Sequence, residues 1–296
     1  MKKHHSRLNF AGKRSSALWC FPVASWLGIF YMIPLVFIIL NSFRKMVNYQ
    51  IVNDFTLDNY IKVFTNPAYG TAMCNSLFLT CKVVLITTVV AYLLALVLKY
   101  AVPASWRTFF LVLIIAPFWT SYLIRAYSWF IVLGNAGVIN KVLLALGWIE
   151  EPLKILYTTK ATTIGLIHYL LPLMTLNLFN TMDSIDDTLL EAADDMGAGK
   201  FRKFFYIILP LSSGGLCNGL MFIFILAFAD FVSPATLGGQ MDIVFPQLIV
   251  DAVQWNVDWA LASALSMVMI GVIMIFLAII SLLRNVGNRE MGGSGK

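Results

Sequence analysis

Residues Thr188–Pro210 read TLLEAADDMGAGKFRKFFYIILP, a charged island between two long apolar segments. Thr188 followed three residues later by Glu191 has the spacing of a capping box, so the sequence predicts a short helix starting at Thr188 and running through Leu189, Leu190, Ala192, Ala193 and Met196. Gly197 and Gly199 then break it. A second short helix is expected from Lys200 to Ile208, ending at Pro210, whose fixed φ and missing N–H suit the first turn of the next apolar segment. The expected unit is helix, bend, helix, lying on one membrane face.

Around this island the chain is 59% hydrophobic and 12% charged, with a mean hydropathy of +0.81. Soluble domains carry about a quarter charged residues, so lipid is the solvent for most of this chain. A spanning helix needs about 20 largely apolar residues, and six candidates are present, at 17–42, 72–98, 106–133, 161–182, 212–232 and 259–283. They leave a basic tail at 1–16, the charged loop at 183–211 and a flexible tail at 286–296 that ends in MGGSGK. With the N-terminus inside, thirteen of the 21 lysines and arginines fall in inside segments and six in outside ones, Lys82 and Arg125 lying within spans. The loop from Ser233 to Asp258 carries neither lysine nor arginine. Cytoplasmic loops hold the basic excess, which places both termini in the cytoplasm. The net charge of +6 therefore reads as an orientation signal rather than a nucleic-acid footprint.

The outer segments 43–71 and 134–160 are expected to form ordered caps or short helices. Cys20, Cys74, Cys81 and Cys217 lie in or beside apolar segments without metal or redox spacing and are expected to pack as small apolar residues. An intramembrane enzyme would need paired catalytic groups. The histidines are His4, His5 and His168, there is no HExxH, and one aspartate in a span, Asp230, makes no dyad. The terminal GSGK lacks the first glycine and the Ser or Thr of a phosphate-binding loop. The expectation is a chain that is not an enzyme, holds no metal and leaves ATP to another protein.

Glu191-Ala192-Ala193, then Gly197, then Ile207-x-Leu209-Pro210 resembles the EAA loop of permease subunits of ATP-driven importers, which sits in the last cytoplasmic loop before the final two spans. Ala116-Pro117-Phe118-Trp119-Thr120-Ser121-Tyr122-Leu123-Ile124-Arg125-Ala126-Tyr127-Ser128-Trp129 resembles the PFWTS-LIR-Y segment of bacterial spermidine/putrescine permeases. Phe231 to Gly239, FVSPATLGG, is similar to their F-V-x-P-x-L-x-G-G loop. The resemblance covers about residues 20 to 285. It implies an all-α membrane protein of about six transmembrane helices with the type I ABC importer permease (MetI-like) fold. It also implies an inner-membrane location, a dimer of ATP-binding subunits that carries ATP and Mg, a second permease chain, and a solute-binding protein. The implied cargo is a small polyamine-like cation. Other amine-bearing solutes, such as opines and aminophosphonates, are the alternative, as is a homodimer of permeases. The rival class is a secondary transporter that needs no ATPase.

By this resemblance Glu191, Ala192, Ala193 and Gly197 are coupling residues: the alanines allow close approach of a partner, and Gly197 a sharp bend. Glu191, Asp194 and Asp195 are expected to meet basic residues. A polycation needs carboxylates and aromatic faces, and an ionisable group inside the membrane marks a functional site. Asp230, Trp119, Tyr122, Arg125, Trp129 and His168 are accordingly candidates to line the substrate path. Helical spacing puts Trp119, Tyr122 and Arg125 on one face, and Arg125 has a second reading, as the ion-pair partner of Asp230.

Overall fold

The computed structural model describes residues 21–23, 25–239 and 242–293. The basic tail 1–16, Cys20 and the last three residues of the flexible tail lie outside the described residues. The chain divides into two compact units, one of residues up to Thr65 together with Ile249–Val268, the other of Asn66–Leu248 together with Met269 onward.

In the first unit a π turn, Gly28–Met32, leads into α1 (Ile33–Ser42). An antiparallel hairpin, β1 (Arg44–Val47) and β2 (Gln50–Phe55), follows, and then α2 (Asp58–Thr65). Segment 43–71 thus forms an ordered cap, a hairpin followed by one short helix. The hairpin's turn residues Asn48 and Tyr49 have φ of 49° and 61°, the left-handed pair that a two-residue hairpin loop demands. Tyrosine in place of the usual glycine hides that turn in the sequence. The Asn59 amide donates to the carbonyls of Ser42 (3.1 Å) and Arg44 (2.8 Å), and the Tyr60 hydroxyl donates to Ser42 Oγ (2.8 Å), tying α2 back to the end of α1.

The second unit begins with α3 (Pro67–Leu96), whose first turn is capped by the Asn66 side chain accepting the Ala68 N–H at 3.0 Å. A π turn, Val97–Ala101, α4 (Ala104–Ile115) and a 3-10 turn, Ala116–Trp119, come next. Then follow α5 (Tyr122–Leu133), α6 (Val138–Ala145), α7 (Thr159–Asp183), α8 (Asp187–Asp195) and α9 (Lys200–Lys203). A π turn, Phe204–Ile208, α10 (Leu209–Phe228) and α11 (Val232–Leu237) come next, and α12 (Phe245–Gln254) and α13 (Trp259–Gly293), parts of which belong to the first unit, complete the order.

Helix α7 is the pillar of this unit, packed against both α3 and α10. Leu166, Leu170, Met174 and Leu178 are fully buried, a ridge at i, i+4 spacing along one face. It meets Val83, Ala91 and Ala95 of α3 and Ile223, Phe224 and Phe228 of α10. Phe224 in turn stacks on Phe276 of α13, ring centroids 3.5 Å apart. Because lipid tails are as apolar as leucine, such contacts gain little by transfer and hold the bundle through dispersion and close approach. Closest approach is at α10: a Cβ on Gly215 would collide with the Thr181 side chain, and one on Gly219 with Met174. The Tyr92 and Ser212 hydroxyls share a buried hydrogen bond of 2.6 Å between α3 and α10, worth about 0.6 kcal/mol on average in a membrane.

Among the described residues six helical segments are long and apolar enough to cross a membrane: Phe21–Ser42, Pro67–Ala101, Tyr122–Ala145, Thr159–Asp183, Lys200–Phe228 and Trp259–Leu282. The expected span at 106–133 is corrected. It is broken at Thr120 and Ser121, whose ψ values of 148° and 141° are extended, and Ala104–Trp119 stands as a separate, shorter apolar helix. Pro117 removes a backbone donor there. The expected short helix Lys200–Ile208 does not stop at Pro210 but continues into the fifth span, so that span starts twelve residues before the 212 read from hydropathy.

The three π turns share a cause. Each ends two residues before a proline: Met32 before Pro34, Ala101 before Pro103, Ile208 before Pro210. Proline gives no N–H and crowds the carbonyl four residues back, and a widened turn just ahead relieves that crowding. Cys74 and Cys81 are exposed and Cys217 half-buried.

Overpacking a helix contact costs about 1–3 kcal/mol. Gly215→Leu should therefore lower the thermal stability of the purified protein markedly, whereas Gly214→Ala, with open space around its Cβ position, should leave the melting temperature unchanged or slightly raised.

Candidate functional site

The charged island is built around α8. Its N-cap is Asp186, whose carboxylate accepts the Thr188 N–H at 3.0 Å. The expected capping box at Thr188 is corrected: the shorter aspartate two residues earlier takes the N–H, and Thr188 falls inside the first turn. This backbone hydrogen bond, with one from the Thr188 side chain, holds the Asp186 carboxyl below its usual range. A depressed carboxyl supports the fold above its unfolded pKa and loses that support as pH falls through the folded value, so the cap is intact at neutral pH. At the other end Gly197, with φ of 73°, donates to the Asp194 carbonyl at 2.8 Å, and Ala198 donates to that of Ala193 at 2.9 Å. These two bonds are a Schellman motif, which requires a left-handed residue where Gly197 stands.

The chain then turns back into α9, and Lys203 closes the bend with an ion pair to Asp194 at 2.6 Å. Asp194, expected to meet a partner's basic residues, is occupied by Lys203. Glu191 and Ala192 are exposed and Ala193 half-buried. Met196, Phe201 and Tyr206 are 87%, 84% and 78% exposed. Between the two arms lies a cavity of about 410 Å³, lined by Ala193, Met196, Ala198, Arg202, Lys203, Tyr206 and Ile207. Large apolar side chains at a polar bend are poor neighbours for water and mark a contact surface.

The second cluster forms where the third span breaks. The Arg125 guanidinium lies over three aromatic rings, 4.9 Å from the centroid of Phe118, 5.4 Å from Tyr169 and 5.9 Å from Tyr122. Tyr122 packs on Tyr169 at 4.5 Å, and its hydroxyl meets Ser233 Oγ at 2.6 Å. His168 contacts Trp129 edge-on at 5.6 Å, and both line a pocket of about 210 Å³ with Arg125, Ser128 and Val132.

Asp230 lies beyond the end of α10 at Phe228, so it is not within the helical span as read from sequence. Its carboxylate accepts the Val232 N–H at 3.3 Å and the Ser233 N–H at 3.0 Å, the first two donors of α11. Among the described residues no ion pair joins it to Arg125, so that reading is also corrected: the carboxylate is committed to a helix terminus and the guanidinium to π faces. The structure brings Tyr122, Arg125, Trp129 and His168 together. Trp119 stands apart at 77% exposure, because the break at Thr120 and Ser121 ends the helical spacing that placed it beside them. Phe118 and Tyr169 complete the cage and were missed; Pro117 within an apolar run was the available signal for the break. Among the described residues no group of three or more His, Cys, Asp or Glu side chains is placed to hold a metal ion.

No protein-family model matches the chain. The spermidine/putrescine transport system permease proteins PotB of Haemophilus influenzae and Escherichia coli K12 are 34% and 35% identical to it over 246 and 247 residues. They cover 82% of the chain, which spans 85% and 88% of theirs. The inner membrane ABC transporter permease protein YdcU of Escherichia coli K12 is 28% identical over 228 residues, 72% of each chain. Among solved structures, a bacterial ABC transporter involved in the import of the acidic polysaccharide alginate superposes with a TM-score of 0.79 over 96% of this chain and 99% of that one, at 18% identity. The fold is therefore that of a multi-pass ABC importer permease. Within that class, the chain belongs to the family of spermidine/putrescine transport system permeases.

Two substitutions separate the roles of Asp230. Asp230→Ala should destabilise the protein by about 0.5–2 kcal/mol through the lost cap while Asp230→Asn, which keeps an acceptor, should cost less. A charge swap between Arg125 and Asp230 should not rescue uptake lost in either single change; rescue would restore the ion-pair reading.

Proposed function

We propose that this chain is a transmembrane subunit of an ATP-driven importer for a small cationic solute, a polyamine such as spermidine or putrescine. A solute-binding protein delivers the solute on the outer side of the inner membrane. A separate dimer of ATP-binding subunits, carrying ATP and Mg, drives alternating access through α8, and a second, related permease chain completes the pathway. Both termini lie in the cytoplasm, on the same side as α8, as the basic bias indicates. The observation that carries this reading is the preformed bend at Gly197. It presents Glu191, Ala192, Met196 and Phe201 to solvent, with nothing among the described residues to receive them. Glu191, Ala192, Ala193 and Gly197 are the coupling residues.

The substrate path runs by the aromatic cage. Phe118, Tyr122 and Tyr169 already hold one organic cation, Arg125, by the quadrupole attraction that would also hold an alkylammonium. Fold alone leaves the cargo open, since the alginate importer carries a polyanion on the same scaffold, and function lives in the site. The cationic reading is supported by the cage and by the PotB relatives.

A left-handed backbone costs a bulky or β-branched residue roughly 1–2 kcal/mol, and no atom lies within 4 Å of a Cβ at Gly197. Gly197→Val should accordingly leave the bundle folded while distorting the docking bend. In the reconstituted complex, spermidine uptake should fall severalfold while ATP hydrolysis persists. Purification of the tagged chain should bring down an ATP-binding subunit; failure to do so overturns the importer reading. Mass spectrometry of the ligand held by the cognate binding protein tests the cargo: a polyamine supports it, an opine or aminophosphonate replaces it.

A further inference from the structure

A second charged cluster sits at the start of α8, away from its Gly197 end. Lys99, on the π turn that ends α3, has a side chain only 7% exposed, and its Nζ lies 3.3 Å from Asp183 Oδ1 and 3.4 Å from Asp187 Oδ1. Asp183 is the last residue of α7, and Asp187 the first of α8. Arg107, on α4, braces the lysine's own turn. Its Nη2 donates to the Lys99 carbonyl at 2.7 Å, its Nε donates to the Val102 carbonyl at 3.1 Å, and its Nη1 lies 3.9 Å from Asp183 Oδ1. One buried ammonium thus joins the cytoplasmic ends of two spanning helices to the first residue of the coupling helix.

We infer that Lys99 is a positioning residue for energy coupling, a latch that makes α8 move with the ends of α3 and α7 as one body. The inference rests on the coupling role proposed for α8. At its start α8 is attached by the covalent turn Ser184–Asp186, by Leu190, partly buried against the core, and by this ammonium; at its far end Asp194 pairs with Lys203 of the fifth span. A helix pushed at its exposed face slides past the bundle if held by apolar contact alone, since such contact is nondirectional. A largely buried ammonium held between two carboxylates resists that slip, because pulling them away leaves it short of partners. The widened turn before Pro103 supplies the geometry. It carries Lys99 around the end of α3 to face α7, so the proline that disturbs the helix also places the latch.

The test compares parental and variant complexes, each assembled with its ATP-binding subunits, partner permease and binding protein in liposomes, by radiolabelled spermidine taken up per ATP hydrolysed. For Lys99→Met that ratio should fall by about fivefold or more, the lower range of measured coupling energies, with assembly intact and ATP hydrolysis continuing. Lys99→Arg, which keeps the charge and can reach both carboxylates, should restore most of it. If Lys99→Met does not assemble, the double change Asp183→Asn with Asp187→Asn carries the test. Those side chains are 49% and 64% exposed, and the same fall is expected. A parental ratio in whichever of these variants assembles, or a fall that Lys99→Arg fails to reverse, overturns the latch. A parental complex that hydrolyses ATP without moving spermidine removes the coupling reading itself, and the latch with it.

Discussion

In lipid a backbone N–H or C=O that leaves its helix finds no water to replace the lost partner, at a cost of several kcal/mol for each group. The irregularities of this chain are shaped by that constraint. Ahead of Pro34 and Pro210 the helix widens into a π turn rather than opening, while ahead of Pro103 a π turn closes the helix and Val102 and Pro103 run extended. Where the third span does open, at Thr120 and Ser121, Thr120 donates from both its N–H and its hydroxyl to the Pro117 carbonyl. The aromatic cage forms around that break. The two sites of interest thus stand at backbone irregularities, one at the broken third span and one leading through a π turn into the fifth.

The class of fold was legible because it depends on composition and period. Twenty apolar residues in a row have few alternatives to a spanning helix, and Gly197 within the charged island marked the bend where it is found. What was not legible depends on where a side chain finds its partner. Thr188 and Glu191 have the capping-box spacing, yet Asp186 takes the cap because its short carboxylate reaches the Thr188 N–H first. Asp230 and Arg125 looked like opposite charges awaiting each other, yet Asp230 accepts helix-terminal N–H groups and Arg125 lies over ring faces with its Nε and Nη1 buried without a hydrogen-bond partner. Lys99 and Arg107 were counted only as part of a basic bias. Their partners Asp183 and Asp187 lie more than 75 residues away in sequence, and no local pattern announces such a pairing.

The pillar α7 connects these levels. Its middle carries His168 and Tyr169 into the cage, its buried ridge Leu166, Leu170, Met174 and Leu178 meets α3 and α10, and its last residue, Asp183, takes the Lys99 ammonium. One helix thereby touches the aromatic cage near its middle and the start of α8 at its end. A change at Gly219, which faces Met174 between the two, alters how that helix seats without touching either place.

The bend between α8 and α9 has a thermodynamic consequence. Its form is set within the chain, by the Asp186 cap, the two Schellman bonds at Gly197 and the Asp194–Lys203 brace, so it exists before any subunit meets it. A segment that orders only on contact surrenders part of its interaction energy to lost conformational freedom. This one has little left to surrender. Free energy from its contact with a partner can then go into preferring one arrangement of the assembled complex over another, which is the only form in which binding does mechanical work.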